Sequence, residues 1–151
     1  MAQSRTIWSL GTSNRSLAEF VAVLKHYRIE TVADVRHFPK SRFGHFRRET
    51  FDAGLAERGI AYVWLGEELG GYRKGGYEAY MRTDGFLRGL ARLEALAAAS
   101  RTAFVCAERL PWRCHRRFVG QALAARGWDV QHVIEAGQVW QPREQLRLET
   151  P

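Results

Sequence analysis

The sequence predicts a single α/β domain, Rossmann-like, in which a mostly parallel sheet of about five strands carries helices on both faces. Three observations lead there. Short apolar runs alternate with segments of helical periodicity along the whole chain, the pattern of β-α-β units. Glycine and other turn residues punctuate them. A chain of 151 residues, 46% hydrophobic, can bury one core and is too short for two ordinary domains, so residues 1–151 are read as one unit with a C-terminal tail from about residue 136.

The first strand is read at residues 6–10, ended by Gly11. Ser16 then opens a helix as its N-cap, with Glu19 three positions on as the second half of a capping box, and Leu17, Phe20, Val21 and Leu24 recur on one face. Residues 31–35 form a second strand, and the stretch 39–48 is read as a loop. A short helix at 51–58 stops at Gly59 before a third strand at 60–64, and a glycine-rich segment, 66–76, reads as a turning lid. Asp84 is read as the cap of a helix whose stripe is Phe86, Leu87, Leu90, Leu93 and Leu96. The fourth strand falls at 102–105. A helix from about Cys114 to Arg126 ends at Gly127, and the fifth strand spans 129–134.

In such sheets ligands bind beyond the carboxyl ends of the strands, so the residues after each strand are the candidates for chemistry. After the first stand Ser13 and Asn14, as helix-entry residues or as donors to an anion. After the second come Asp34 and Arg36, then a run to Arg48 holding Lys40, Arg42, Arg47 and Arg48 among Phe38, Phe43 and Phe46, with no acid before Glu49. Cations interleaved with aromatics suit phosphates and unstacked bases. Tyr72, Arg73 and Lys74 extend that surface after the third strand.

The fourth strand leads into the densest segment, FVCAERLPWRCHRRFVGQAL, with Cys106, Glu108, Cys114, His115 and Arg116. A thiol at a helix start flanked by arginine feels a potential that favours thiolate, and a neighbouring histidine can move its proton. Asp34 and Glu108 are the carboxylates placed for acid–base work. Core packing of Cys106 and surface ion pairs for the carboxylates are the plainer readings. Seven residues between the cysteines and a histidine directly after the second match no common zinc spacing, so no metal and no cofactor are expected. The strand, reactive loop and helix order is similar to the rhodanese progression, without that family's compact loop between cysteine and arginine.

Lys and Arg total 23 against 16 Asp and Glu, a net +7, which favours polyanionic partners. No run approaches the ~18–20 apolar residues of a membrane span, and the first ten residues lack a secretory apolar core, so a cytoplasmic protein with no membrane partner is expected. The two cysteines are read as thiols.

The segments SLGTSNRSLAEFVAVLKHYRIETVADVRHFPKSR, YVWLGEELGG and VCAERLPWRCHRRFVGQALAARGWDVQHV resemble the prokaryotic family called domain of unknown function 488 over nearly the whole chain. The resemblance rests on Gly11, Ser13 and Asn14; on Asp34, Val35 and Arg36 with Pro39 and Ser41; on Leu69 to Gly71; and on Cys106 to Glu108 followed by Cys114 to Arg116. Thr12 departs from the His or Tyr of many members. The resemblance implies a compact α/β domain and supplies no activity.

The expected function is therefore an enzyme acting on a phosphate-bearing substrate, nucleic acid or a nucleotide, by hydrolytic or base-repair chemistry. Ser13, Asn14, Arg36, Arg42 and Arg116 are expected to hold the anion, with Asp34, Glu108, Cys106, Cys114 and His115 as the reactive set. Lys40, Phe43, Arg47, Arg48, Tyr72, Arg73 and Lys74 are the expected nucleic-acid contacts. The alternatives are a non-catalytic DNA- or RNA-binding module and thiol-dependent sulfur or phosphoryl transfer on a small molecule.

Overall fold

The computed structural model describes residues 5–39 and 41–142. Its elements follow the order β1 (Thr6–Gly11), α1 (Leu17–His26), β2 (Thr31–Asp34), α2 (Arg48–Ala56), β3 (Ala61–Trp64), α3 (Gly66–Leu69), α4 (Tyr77–Tyr80), α5 (Asp84–Ala99), β4 (Thr102–Cys106), α6 (Arg116–Ala125), β5 (Asp129–Glu135) and β6 (Gln138–Trp140). Six strands make one sheet in the order β3-β2-β4-β1-β5-β6. The first five are parallel; β6 returns antiparallel on β5. It occupies part of the expected tail, where Gly137 at φ 81 makes the turn that a side chain would strain.

The central strands are buried on both faces, as parallel strands sandwiched by helices must be. On one face α1 and α2 bring Phe20, Leu24, Phe51 and Leu55 onto Leu10, Val32 and Val105. On the other α3, α5 and α6 bring Leu69, Leu90, Leu93 and Leu123 onto Ile7, Ala33 and Phe104. Among the described residues no helix is long and apolar enough to cross a membrane.

The capping box forms as the sequence requires: Glu19 N donates to Ser16 Oγ at 3.0 Å and Ser16 N to Glu19 Oε1 at 2.8 Å. Other ends differ from expectation. Thr83, not Asp84, caps α5 through a bond from Phe86 N, and Leu87 lies outside the buried stripe. A 3-10 turn at Pro111–Arg113 precedes α6, which starts two residues later than expected. Within the segment 66–76, α3 forms the first turn, and Gly75 and Gly76 take positive φ beyond it.

Candidate functional site

β1 and β4 are neighbours whose outgoing connections run to opposite faces, β1 into α1 and β4 into α6. A crevice opens where they part, the usual place for a ligand in an open α/β sheet. The cleft there, about 490 Å³, is lined by Ser13 and Asn14, by Ser41 and Arg42, and by Glu108 and Arg109, with Phe43 on its wall. Gly11 permits this geometry: a Cβ there would stand 2.0 Å from the Glu108 carbonyl oxygen, so only glycine lets the loop after β4 cross the end of β1. Thr12 N donates to Cys106 O at 2.8 Å and Ser13 N to Ala107 O at 2.9 Å, carrying the ladder past the strands.

Those bonds occupy the Thr12 and Ser13 amides, and the capping box occupies the Glu19 amide at the start of α1. The polar side chains lining the cleft include those of Ser13, Asn14, Ser41, Arg42, Glu108 and Arg109. Arg15 does not join them. Its buried guanidinium donates to Gly11 O and Ile134 O and lies 3.7 Å from Glu135, tying the loop to the end of β5. Arg109 also reaches Glu135, at 2.8 Å, while remaining exposed enough to face the cleft.

Asp34 and Arg36, expected as proton carrier and anion holder, are occupied with each other. Asp34 is fully buried; its Oδ1 accepts from Arg36 Nε at 2.8 Å and Arg36 N at 3.1 Å, its Oδ2 from Arg36 Nη2 at 2.8 Å and Tyr62 Oη at 2.5 Å. Burial, then the Asp34 charge, pushes the Tyr62 phenol well up, so it stays a donor. This buried cluster holds the start of the loop after β2.

Arg116 is likewise not an exposed anion holder. It is 0% exposed, with Nε donating to Cys106 Sγ at 2.9 Å, Nη1 to Ser9 Oγ at 2.9 Å and Nη2 to Glu108 O at 2.7 Å. It clamps the loop after β4 from beneath the cleft. Ser9 Oγ, which accepts from Arg116 Nη1, is also hydrogen-bonded to His132 Nδ1, 2.6 Å away, and His132 Nε2 is buried with no hydrogen-bond partner among the described residues. Burial, then Arg116, lowers the His132 pKa to about 3.

The thiols divide into a buried one and a reachable one. Cys106 is 2% exposed, and burial raises its pKa well above the ordinary value. Cys114 is half-buried; the hydrogen bond from the Cys106 thiol, aided by Arg116, lowers its pKa to about 7 against the effect of burial. His115 donates through Nε2 to Val35 O at 2.8 Å, so the neutral ring turns a bare Nδ1 towards Cys114 Sγ, 3.5 Å away. Burial lowers the His115 pKa and favours that neutral form.

The family model described as domain of unknown function DUF488 matches residues 16–123, most of the chain. This chain belongs to that family. No curated protein and no solved structure matches it. The DUF488 span takes in Asp34, Arg36, Arg42, Cys106, Glu108 and Cys114 to Arg116, and leaves Ser9, Ser13, Asn14 and His132 outside.

The expected nucleic-acid residues of this DUF488 protein separate into two kinds. Arg42 lies over the Phe43 ring at 4.9 Å, Arg48 over Trp64 at 4.5 Å, and Arg47 donates to Ser41 O at 3.1 Å; all three arginines remain exposed. Tyr72 is 91% exposed, as is Phe38 to 63%, and their loops are joined where His37 Nδ1 donates to Gly71 O at 3.1 Å. Lys74 is exposed. Arg73 instead donates to Gly70 O at 2.8 Å and Glu67 O at 2.6 Å beneath the Tyr80 ring, fastening α3. Lys40 lies outside the described residues. Among the described residues no three His, Cys, Asp or Glu side chains are grouped as a metal site.

Ser9, His132 and Tyr62 were missed as polar partners in the sequence reading. A lone Ser in TIWSLG and a lone His in DVQHVIE, each inside a buried run, are the signal that could have marked them.

Proposed function

We propose that this protein is an enzyme that binds a phosphate-bearing substrate, nucleic acid or a nucleotide, in the cleft between the loops after β1, β2 and β4, and acts on it hydrolytically. The observation that carries this reading is the composition of that cleft: Arg42 and Arg109 beside the hydrogen-bonding Ser13, Asn14 and Ser41, with Glu108 the carboxylate among them. Two arginines offset phosphate charge; the exposed aromatics Phe38 and Tyr72 offer stacking faces nearby. Glu108 Oε1 accepts from Leu110 N at 3.2 Å, which orients the carboxylate as the base that takes a proton from attacking water. Asp34 and Arg116 serve this site by shaping its walls, not by touching substrate.

The test is incubation with labelled single- and double-stranded DNA and RNA, damaged bases included, scoring binding and product at two salt concentrations. The Glu108→Gln variant is expected to bind and yield no product, and Arg42→Ala with Arg109→Ala to weaken binding at least ~10-fold and flatten its salt dependence. Binding indifferent to both arginines removes the cleft from the reading, and tight binding without product by the unaltered chain makes it a binding module. Thiol-dependent sulfur or phosphoryl transfer is the second reading, favoured by the half-buried Cys114 beside His115 Nδ1.

A further inference from the structure

A fully buried guanidinium ordinarily faces a carboxylate; Arg116 faces sulfur. Its Nε donates to Cys106 Sγ at 2.9 Å while its backbone amide donates to Cys114 Sγ at 3.4 Å, so one residue gathers both cysteines of the chain. The thiols share Arg116 as a hydrogen-bond donor, and they differ in the way that an attacking and a resolving thiol differ: Cys114 is half-buried, Cys106 buried. His115 stands against Cys114 on the other side, fixed in one tautomer by Val35 O, and Gly71 leaves it room, since a Cβ there would meet His115 Nδ1 at 3.2 Å. Nothing in the hydrolytic reading of the cleft uses this group.

We propose that Cys114 and Cys106 are a thiol–disulfide exchange site that takes a low-molecular-weight disulfide as its co-reactant. The Cys114 thiolate attacks one sulfur of the disulfide, forming a mixed disulfide and releasing one thiolate, which takes a proton from water. Cys106 then gives its proton to the hydroxide left by the first step, and its sulfur attacks the Cys114 sulfur and displaces the second thiolate, which takes a proton from water. The two cysteines are oxidised by two electrons and the small disulfide is reduced to two thiols. The positive charge of Arg116 stabilises the attacking thiolate, and with Cys106 buried the second step is intramolecular, so the mixed disulfide is short-lived. The charged and titratable groups around the pair are Arg116 and His115, with Tyr77 facing Cys114 and Arg73 acting on His115 and Tyr77.

The reduced full-length chain is incubated with oxidised glutathione, quenched and weighed intact. The expected product is a chain lighter by two hydrogens, with no lasting adduct. Cys106→Ser, which keeps a small acceptor for Arg116, is expected to stop at one glutathione adduct, and Cys114→Ser to react at the rate of an ordinary buried thiol. A second readout is alkylation by iodoacetamide: the rate of Cys114 is expected to be half-maximal near pH 7, ~10-fold below its plateau at pH 6, and to shift upward in pH in Cys106→Ala, which has no donor at that position, towards the ~8.5 of a free thiol. A persistent glutathione adduct on the unaltered chain, no reaction at all, or equal rates for Cys114→Ser and the unaltered chain would each overturn the proposal. All of these outcomes are independent of nucleic-acid binding.

Discussion

Replacing Arg116 by methionine tests whether this guanidinium is a structural clamp. Two effects oppose each other. Methionine relieves the burial of a charge that faces no carboxylate, a cost of several kcal/mol per ion in real proteins. It also deletes the donors to Cys106 Sγ, Ser9 Oγ and Glu108 O, and hydrogen bonds from a charged donor contribute ~1.5–3 kcal/mol each. Ser9 keeps His132 and the Glu108 carbonyl keeps the long contact from the Cys106 thiol at 3.7 Å, so the lasting losses are the strong donor to that carbonyl and the cation beside both thiols. The balance is a destabilisation of ~2–4 kcal/mol, or a Tm lower by roughly 4–16 °C for a chain of this size. Urea titration and thermal melting read the effect, and Arg116→Lys, which keeps charge but not the three-way reach, should fall between. A methionine variant within ~0.5 kcal/mol of the unaltered chain would refute the clamp and return Arg116 to the ligand-binding residues.

Two further substitutions probe the polar pair beneath α6. Gly120→Ala, which in an open helix gains up to ~1 kcal/mol, is expected to lose ~1–3 kcal/mol because its Cβ would lie 2.6 Å from His132 Nε2, whose ring Ser9 holds. In a His132→Ala background the same change should become favourable; a melting experiment showing Gly120→Ala already stabilised in the unaltered chain would contradict this packing. His132, with its folded pKa near 3 against 6.5 for the unprotected ring, is a base that the unfolded chain protonates first, so its contribution is complete above pH 6.5 and is lost as pH falls towards 3. Stability should therefore decline by up to ~1.4 kcal/mol per pH unit from this group within that window. His132→Gln should flatten the urea-midpoint profile between pH 6 and 4, and identical profiles would exclude the effect.

The regular elements were legible because each carries a local signal: a capping box at Ser16 and Glu19, glycine stops at Gly59 and Gly127 with φ of 75 and 94, and apolar runs of strand length. β6 was not, because three residues after a glycine turn have too little pattern to stand apart from a tail. In the site, Ser13, Asn14, Arg42 and Glu108 follow from strand order alone, since each comes directly after a strand end or in the loop that follows. The burial of Arg36 and Arg116 does not follow, because arginine is ordinarily exposed and the partners that hold them are visible only in three dimensions. Asp34 lies two residues from Arg36, yet a loop reading treats both as free; Ser9 meets His132 only because β1 pairs with β5 in the register that sets them side by side.

That pairing order also governs how the sheet can assemble. Of the described strands β1 is the first, and it sits between β4 and β5, with Trp8 in register with Ala103 on one side and Ile7 with Val130 on the other. β2 and β3 can pair as soon as both exist, but on the ribosome the strand that becomes the centre of the sheet waits for residues near 102 and then near 129 before either edge is satisfied. The apolar stretch from Ile7 to Leu10 therefore has no native neighbour until β4 is made, Cys106 arriving with that strand and His132 only with β5, so the sheet centre and the polar cluster under the cleft are completed together by the last of the parallel strands.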